Sequence, residues 1–200
     1  MMRISFRGKV LLAGALSMTT LAAWGQAVPA GQRQTMLSGL DVALTYDYTQ
    51  SNAVTTKSFS MQGGSAQIHD QLWRGLGVVG DVGGAFSVNV ANPHASLDLI
   101  TLTAGPRYTW KPVHHGFSFY GQALGGGAFG MNSIFPNLTG PTTSAHAVAV
   151  KVGTGMNVSV TPRISVRAFE VDWLYTQLPN GTTDVQNNLR VGAGIVFRLP

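Results

Sequence analysis

The sequence contains no cysteine, and only 10% of its 200 residues are charged. The lack of cysteine excludes disulfide bonds and thiolate metal sites, and it is compatible with an exported protein. In ordinary soluble domains roughly a quarter of the residues are charged, and here Glu170 is the single glutamate. After the first nine residues, Lys and Arg form no cluster, so the sequence predicts no nucleic-acid partner.

The sequence also has no apolar run as long as the roughly 20 residues that a membrane-spanning helix needs. The apolar run at residues 10–23 follows three basic residues and precedes small ones, which is the pattern of a secretory signal peptide. We therefore expect a signal peptide over residues 1–27, cleaved after Gly25 or Ala27. A short periplasmic segment over residues 28–36 should follow it.

Glycine is abundant, with 25 residues, which is about twice its usual share. Much of it falls in segments where apolar side chains alternate with polar or small ones, and this period of two predicts β-strands. In the last such segment, residues 187–198, the opposite face carries Arg190 and Gly192. A strand with an apolar face on one side, and on the other a polar face on which glycines leave little side-chain volume, is typical of a membrane-spanning barrel. The apolar face of this segment consists of Leu189, Val191, Ala193, Ile195 and Phe197.

Eight segments with this alternation follow one another along the chain. They cover residues 38–50, 58–72, 76–88, 97–110, 116–130, 145–160, 163–177 and 187–198. Connections after the second, fourth and sixth segments are short, and the others are longer and polar, with the longest at residues 131–144. The even number of strands and the alternating loop lengths predict an all-β fold, a transmembrane antiparallel up-and-down β-barrel over residues 37–198.

The second segment changes the parity of its apolar residues at two adjacent glycines, Gly63 and Gly64. Such a change predicts a β-bulge, in which one extra residue shifts the faces of a strand. Phe59 and Met61 would then face outward on one side of the bulge, while Gln67 faces inward on the other.

Two further bulges are predicted from irregular positions in the fourth and seventh segments. Pro106 cannot donate a hydrogen bond to a neighbouring strand, so it is expected to mark a bulge. Arg167 and Glu170 are three residues apart, and a bulge at Ala168 and Phe169 would bring both of these charged side chains to the inner face.

Most of the charged side chains fall on the predicted inner face. Because an isolated charge in a narrow lumen is costly, we expect them to form ion pairs. A conduction path is the functional alternative, but eight strands leave a lumen just wide enough for side chains, which favours a plug. The predicted lumen network consists of Asp41, Asp47, Asp81, Arg107, Lys151, Arg167, Glu170, Asp172 and Arg190.

Aromatic residues are concentrated near the ends of the predicted strands, where outer-membrane barrels carry two aromatic girdles. Trp73 and Trp110 lie near the short connections. The girdle near the long connections is predicted to contain Tyr46, Tyr48, Trp173 and Tyr175.

The end of the chain resembles the C-terminal assembly signal of bacterial outer-membrane barrels, with Arg190, Gly192, Ile195 and Phe197 at the matching spacing. Together with the strand pattern, it resembles the eight-stranded outer-membrane barrels of the OmpA or OmpX type. The resemblance implies an integral protein of the bacterial outer membrane with both termini in the periplasm. A lipocalin-like soluble barrel shares the alternation, but its exterior would need far more Lys and Glu than this chain has.

No catalytic, cofactor or metal site is predicted. The five histidines are interpreted as structural, including His69 in the lumen, His146 near the external rim and the adjacent pair at residues 114–115. A His-x-Ser triplet at His94 and Ser96 weakly resembles the arrangement of outer-membrane lipid A deacylases, but it lies in a loop that would not hold the serine against a base.

The function expected from these features is that of a structural or surface-interaction barrel with a lumen plugged by charged side chains. The alternatives are an outer-membrane lipid-modifying enzyme and a small channel. Outer-membrane lipid and, during biogenesis, the barrel-assembly machinery are the expected partners, and a monomer is expected.

Overall fold

A computed structural model describes residues 39–51, 59–87, 96–111, 116–136, 140–179 and 184–199. The predicted signal peptide and the segment at residues 28–36 lie outside the described residues. The described residues include no helix that is long and apolar enough to cross a membrane.

The fold is a closed antiparallel barrel of eight strands, in which each strand pairs with the next and the last pairs with the first. This architecture confirms the predicted fold class. The strands are β1 Leu40–Ser51, β2 Phe59–Trp73, β3 Leu76–Ser87, β4 Leu97–Trp110, β5 Phe117–Phe135, β6 Thr142–Ser159, β7 Ile164–Thr176 and β8 Gln186–Arg198. We call the end where β1 begins and β8 ends the terminal rim, and the opposite end the loop rim.

The alternation of side chains agrees with the predicted faces over most of the barrel. Large apolar side chains such as Leu44, Val82 and Leu102 are exposed on the outside, while polar side chains such as Thr45, Asp81 and Thr103 are buried in the lumen. An exterior belt this rich in exposed apolar side chains is suited to lipid and not to water.

The predicted bulge in β7 is confirmed. The register against β8 shifts between Arg167 and Glu170, so Ala168 and Phe169 are both exposed while the two charged side chains are both buried. The extra residue is what allows two side chains three positions apart to face the lumen.

The predicted bulges at Gly63–Gly64 and at Pro106 are wrong. The pairing of β2 with β1 and β3 runs through both glycines without a shift, and the register of β4 is the same on either side of Pro106. Pro106 faces outward and simply leaves one ladder bond unmade. Without a bulge in β2, Phe59 and Met61 share the inner face with Gln67, so the expectation that they face outward is also wrong.

Phe59 and Met61 belong to an apolar cluster inside the lumen, toward the loop rim. The expectation of a lumen lined by polar and charged side chains is therefore wrong for this part of the barrel. It contains Phe59, Met61, Leu97, Leu99, Ala128, Phe135, Ala149, Leu174 and Leu178.

The boundary of β5 differs most from its prediction. β5 continues to Phe135 and β6 begins at Thr142, so most of the predicted loop at residues 131–144 is strand. A register irregularity between Met131 and Phe135, with a left-handed residue at Asn132, turns the phenylalanine ring into the lumen. Burial of that ring, which is 1% exposed, explains why the strand extends here.

Candidate functional site

The lumen holds the predicted charged residues, and eight of the nine are buried there. They lie in the middle of the barrel and on its terminal side, and we call these eight the charge network. It comprises four bases and four acids, so their formal charges cancel. The members are Asp47, Asp81, Arg107, Lys151, Arg167, Glu170, Asp172 and Arg190.

Glu170 lies at the centre of the network, where the bulge in β7 places it. Its Oε2 accepts hydrogen bonds from an Arg167 guanidinium nitrogen and from the Tyr120 hydroxyl. Its Oε1 accepts from Gln67 Nε2 at 2.8 Å and from an Arg190 nitrogen at 3.1 Å. Four donors from four different strands therefore converge on one carboxylate.

Arg190 connects Glu170 to the remaining acids of the network. Its guanidinium donates to Asp172 Oδ2 from two nitrogens, at 2.6 and 3.1 Å. Asp47 and Asp81 lie farther from it, at 3.5 and 3.8 Å. A planar guanidinium with five donors suits such multiple contacts better than a lysine ammonium does.

Lys151 completes the network from β6. Its Nζ lies 2.6 Å from Asp81 Oδ1, and both side chains are at most 1% exposed. Because a buried ammonium without an anion is costly, this contact accounts for the placement of a lysine inside so narrow a barrel.

Three uncharged side chains bind to the charge network and were not predicted to do so. Tyr120 lies between two guanidinium groups, with Arg107 Cζ 4.3 Å and Arg167 Cζ 4.9 Å from the centre of its ring. Gln67 Oε1 accepts from both arginines, at 2.6 and 2.7 Å, and Gln122 Oε1 accepts from Arg107 Nε at 3.1 Å. Alternation alone assigns these side chains to the inner face, but their role as bridges depends on which strands are opposite.

Inward-facing glycines provide the room that the network occupies. A methyl group added at Gly153 would overlap the Asp172 carboxylate, and one at Gly192 would overlap Asp47. At Gly155 it would collide with the Tyr120 hydroxyl. The glycine-rich strands are therefore thin at the points where long charged side chains from neighbouring strands cross the lumen.

Asp41 is the one predicted network residue that lies apart from the others. It is half-buried at the terminal rim, where its carboxylate lies 3.4 Å from Arg198 Nε and 3.7 Å from His69 Nδ1. The structure thus separates a small ion cluster at the terminal rim from the charge network in the middle of the lumen.

The apolar cluster closes the lumen on the loop side of the network. Leu178, which follows β7, is fully buried, and its backbone is held by Gln186 at the start of β8. The Gln186 side chain accepts from Leu178 N at 2.8 Å and donates to Leu178 O at 2.6 Å. Two hydrogen bonds from one buried amide therefore fix this leucine over the lumen.

Two small cavities lie inside the barrel beside residues that the structure describes. One of about 20 Å³ lies toward the terminal rim beside His69 and Arg107, and one of about 10 Å³ lies between Arg190 and Leu174. Since one water molecule needs roughly 10–15 Å³, neither cavity is a continuous aqueous path.

The predicted girdle residues all point outward from the barrel. Trp73 and Trp110 are exposed at the terminal rim, while Tyr46, Tyr48 and Trp173 are exposed toward the loop rim. Tyr175 also faces outward and is half-buried. In the predicted assembly signal, Ile195 and Phe197 face outward while Arg190 and Gly192 face the lumen.

The residues considered for catalysis are only partly described, because His94 and the pair at residues 114–115 lie outside the described residues. Ser96 Oγ donates to the Asn132 carbonyl oxygen at 3.2 Å, and Asp98 accepts from the Asn132 amide. His146 is exposed on the outer face. Within the described ranges, no group of three or more His, Asp or Glu side chains is arranged to hold a metal ion.

A closed eight-stranded barrel with an apolar exterior and a side-chain-filled interior is the architecture of small outer-membrane barrels. Comparison with solved structures identifies the same fold in Neisserial surface protein A, with a TM-score of 0.66 and 16% sequence identity over 81% of this chain and 98% of that one. The chain therefore has the fold of the eight-stranded outer-membrane barrels.

Two other matches have lower TM-scores. The attachment invasion locus protein Ail of Yersinia pestis, in complex with a heparin analogue, is 19% identical with a TM-score of 0.49 over 80% of this chain and 99% of that one. The N-terminal barrel domain of Pseudomonas aeruginosa OprF is 15% identical with a TM-score of 0.45, over 78% and 96%. A scan against protein-family models finds no match, and a search of curated proteins finds none.

Proposed function

We propose that this protein is an integral barrel of the bacterial outer membrane with a structural or surface-interaction role, and that its lumen does not conduct. The observation that carries the proposal is the filling of the lumen by two consecutive layers, the charge network and the apolar cluster. A barrel filled in this way offers its exterior and its loops for interaction, and no internal path for a solute.

The location and orientation in this proposal are supported by the exterior. The apolar belt requires a bilayer, and the sequence predicts a signal peptide that would direct export. With eight strands, the first strand begins and the last strand ends at the same rim, and we propose that this rim faces the periplasm. Because the barrel is closed and leaves no unpaired edge strand, a monomer is proposed.

The test of this function is lipid-bilayer conductance of the refolded mature chain, with membrane insertion measured on the same sample. We expect a band whose gel mobility changes on heating, recovery in the outer-membrane fraction, and no ion current. A steady current from inserted protein would refute the closed lumen, and recovery of the chain in the soluble periplasm without detergent would refute the membrane location.

We propose no catalytic role for the described residues. The Ser96 hydroxyl and the Asp98 carboxylate both bond to Asn132, and this arrangement leaves neither directed at the other. An assay for fatty-acid release from lipid A, performed on the refolded protein, tests the alternative of a lipid-modifying enzyme. Release of fatty acid that is lost in Ser96→Ala would replace the structural proposal by an enzymatic one.

The proposed assembly signal for the barrel-assembly machinery is tested at two adjacent positions of β8. Phe197 faces outward and Val196 faces the lumen. Phe197→Asp should block insertion, because it places a charge on the lipid face and removes the terminal aromatic residue. Val196→Ala should insert almost normally. Equal insertion of the two variants in cells would contradict the assignment of Phe197 to the signal.

A further inference from the structure

The mouth of the lumen at the terminal rim carries more basic than acidic side chains. The cavity of about 20 Å³ at this mouth is lined by four cations, and Asp41 is the one carboxylate among its described lining residues. Arg107 and Arg167 are buried members of the charge network, while Lys111 and Arg198 are exposed at the rim. We call this cavity the basic vestibule, with an inner pair of cations in the network and an outer pair at the rim.

Arg107 of the inner pair is buried without an ion pair among the described residues. Its side chain is 3% exposed, and its guanidinium donates to the neutral amide oxygens of Gln67 and Gln122. The four acids of the network pair with its other three bases. The formal charges of the network therefore cancel as a sum but not at Arg107. Because a buried charge without a partner is costly, an anion beside this guanidinium would be stabilising.

Both guanidinium groups of the inner pair keep a donor for a ligand. The hydrogen bonds of Arg107 use Nε and Nη2, and those of Arg167 use Nε and Nη1. Within the part of the chain that the structure describes, Nη1 of Arg107 and Nη2 of Arg167 have no acceptor. Both side chains line the basic vestibule. Two charged donors, one from β4 and one from β7, are therefore available to the same anion.

The outer pair contributes a second cation without an acid partner in the described ranges. Lys111 Nζ donates to Gln71 Oε1 at 3.2 Å, whereas Arg198 Nε lies 3.4 Å from Asp41 Oδ1. Burial and the nearby Arg198 guanidinium lower the pKa of the Lys111 ammonium, so these two cations are close enough to repel each other. An anion between them would offset this repulsion.

The size of the basic vestibule limits what it can hold. An oxygen atom of an anion needs about the space of a water molecule, roughly 10–15 Å³, so the cavity takes one or two oxygens. A tetrahedral phosphate carries oxygens on several sides and can contact the inner and the outer pair together, whereas a carboxylate presents both of its oxygens to one side. Guanidinium groups also match the geometry of phosphate oxygens.

From the excess of cations, the two free guanidinium nitrogens and the size of the cavity, we infer that the basic vestibule binds a soluble phosphate compound, either inorganic phosphate or a phosphate monoester. The phosphate group lies between the inner and the outer pair of cations. Because the vestibule is inside the lumen and not on the lipid-facing exterior, a soluble phosphate reaches it more directly than a lipid headgroup does. The site follows from these contacts, and only its location on the periplasmic side rests on the proposed function.

Binding is measured by calorimetric titration of inorganic phosphate into the mature chain, refolded in neutral detergent micelles at low salt. The change of gel mobility on heating is recorded for each variant, so that only folded barrels are compared. Arg107→Gln removes the unpaired buried charge but keeps an amide donor for Gln67 and Gln122. Lys111→Gln removes an exposed charge, so it decides the inference even if Arg107→Gln fails to fold.

We expect saturable binding of a single phosphate per barrel. Arg107→Gln should weaken it about tenfold or more, because a hydrogen bond from a charged group is lost. Lys111→Gln should weaken it by a factor of about two to five, as is typical of exposed charge pairs. Added salt should weaken binding to the unsubstituted protein. The matched control is Arg163→Gln, because Arg163 is exposed at the same rim but is not a lining residue, and its binding should be almost unchanged.

An absence of saturable binding, or binding that Arg107→Gln and Lys111→Gln both retain in full, would overturn the inference. An equal loss in Arg163→Gln would also overturn it, since the effect would then be one of general charge at the rim. Acetate binding as tightly as phosphate would refute the phosphate class.

The source of the phosphate is tested by adding a short-chain phosphatidylglycerol as a competitor. Displacement of inorganic phosphate by this lipid would assign the site to a lipid headgroup and refute a soluble ligand. All of these results are obtained on folded barrels, so they leave the proposed membrane function intact. A chain whose gel mobility does not change on heating would instead contradict the proposed function itself.

Discussion

The two parts of the lumen fill the same narrow space with opposite chemistry. On the terminal side and in the middle, the charge network contains four bases and four acids that are connected by hydrogen bonds and ion pairs, with Asp47, Asp81 and Lys151 held through ion pairs. Toward the loop rim, the apolar cluster packs Phe59, Met61, Phe135 and their neighbours with no charged member.

The difference shows that a lumen of this width must be filled with side chains. The width does not determine whether those side chains are charged or apolar. Charges need partners at defined positions, because a buried charge that loses its partner has no water to replace it. Apolar side chains need only volume and close contact. The two parts should therefore respond differently to substitution.

The largest loss of stability is expected for Glu170→Ala in the charge network. The substitution removes the acceptor of four donors and takes from Arg167 the carboxylate that it pairs with, while Arg190 keeps its contact with Asp172. Removing one partner of a buried ion pair typically costs about 3–5 kcal/mol. The free energy of unfolding, measured by urea titration of the barrel in lipid vesicles, should fall by an amount in this range.

The control for this variant is a double-mutant cycle with Arg167→Ala. Because the two side chains are direct partners, the double variant should lose much less stability than the sum of the single variants. Additive and near-zero losses would mean that these charges are solvated. The charge network would then not be a dry layer like the apolar cluster.

A smaller loss is expected for Leu97→Ala in the apolar cluster. Leu97 is fully buried, and truncation of a buried leucine typically costs about 2–5 kcal/mol, from lost burial and from the cavity left behind. We expect about 3 kcal/mol in the same urea titration. The charge state of every other residue is unchanged, so the loss should not depend on salt or on a second substitution in the network.

Leu102→Ala on the same strand is the matched control, because Leu102 faces outward with 56% of its surface exposed. Lipid can fill the space that this truncation opens, so its effect should be clearly smaller. Similar losses at positions 97 and 102 would show that the lumen at the loop rim is as accessible as the exterior.

Most of the fold could be predicted from the sequence, because a period of two is a local property and a closed barrel repeats it eight times. The charge network was predictable as a set for the same reason: each of its members stands on a polar face. Its connections were not, since the contact between Tyr120 and two arginines, or between Gln67 and Glu170, depends on how strands distant in sequence are aligned.

The apolar cluster illustrates why the remainder was missed. Phe59 and Met61 have the parity of the inner face, but an apolar side chain was expected to face lipid, and a bulge at Gly63 and Gly64 was therefore inferred to reverse them. The inner face carries both polar and apolar residues along β2, so parity and not polarity identifies it. Phe135 was missed because its burial depends on an irregularity in β5 that alternation does not indicate.

A moderate effect is expected at glycines, and it should depend on the face. Gly153→Ala places a methyl group against the Asp172 carboxylate, whereas Gly125 faces outward with no atom within 4 Å of an added Cβ. Overpacking of a filled interior costs about 1–3 kcal/mol, so Gly153→Ala should lower the free energy of unfolding by that amount. Gly125→Ala should be nearly neutral, and equal losses would contradict the view that the network occupies the space above inward glycines.

The smallest effect is expected when the apolar cluster is opened and ion current is measured. Phe135→Ala combined with Leu178→Ala removes two large, fully buried side chains of the apolar cluster. If the two parts of the lumen close it in series, the charge network beneath still blocks the path. Its Lys151–Asp81 pair joins β6 to β3 across the barrel, and the cavity between the two parts holds about 10 Å³. Conductance in planar bilayers should therefore stay at the baseline of the unsubstituted protein, although stability falls.

The control is the change of gel mobility on heating, measured on the same sample, because it shows that an absence of current reflects a closed barrel and not a failure to insert. A steady current in this variant would assign the whole barrier to the apolar cluster, and the charge network would then be a wet lining that stabilises the barrel without closing it.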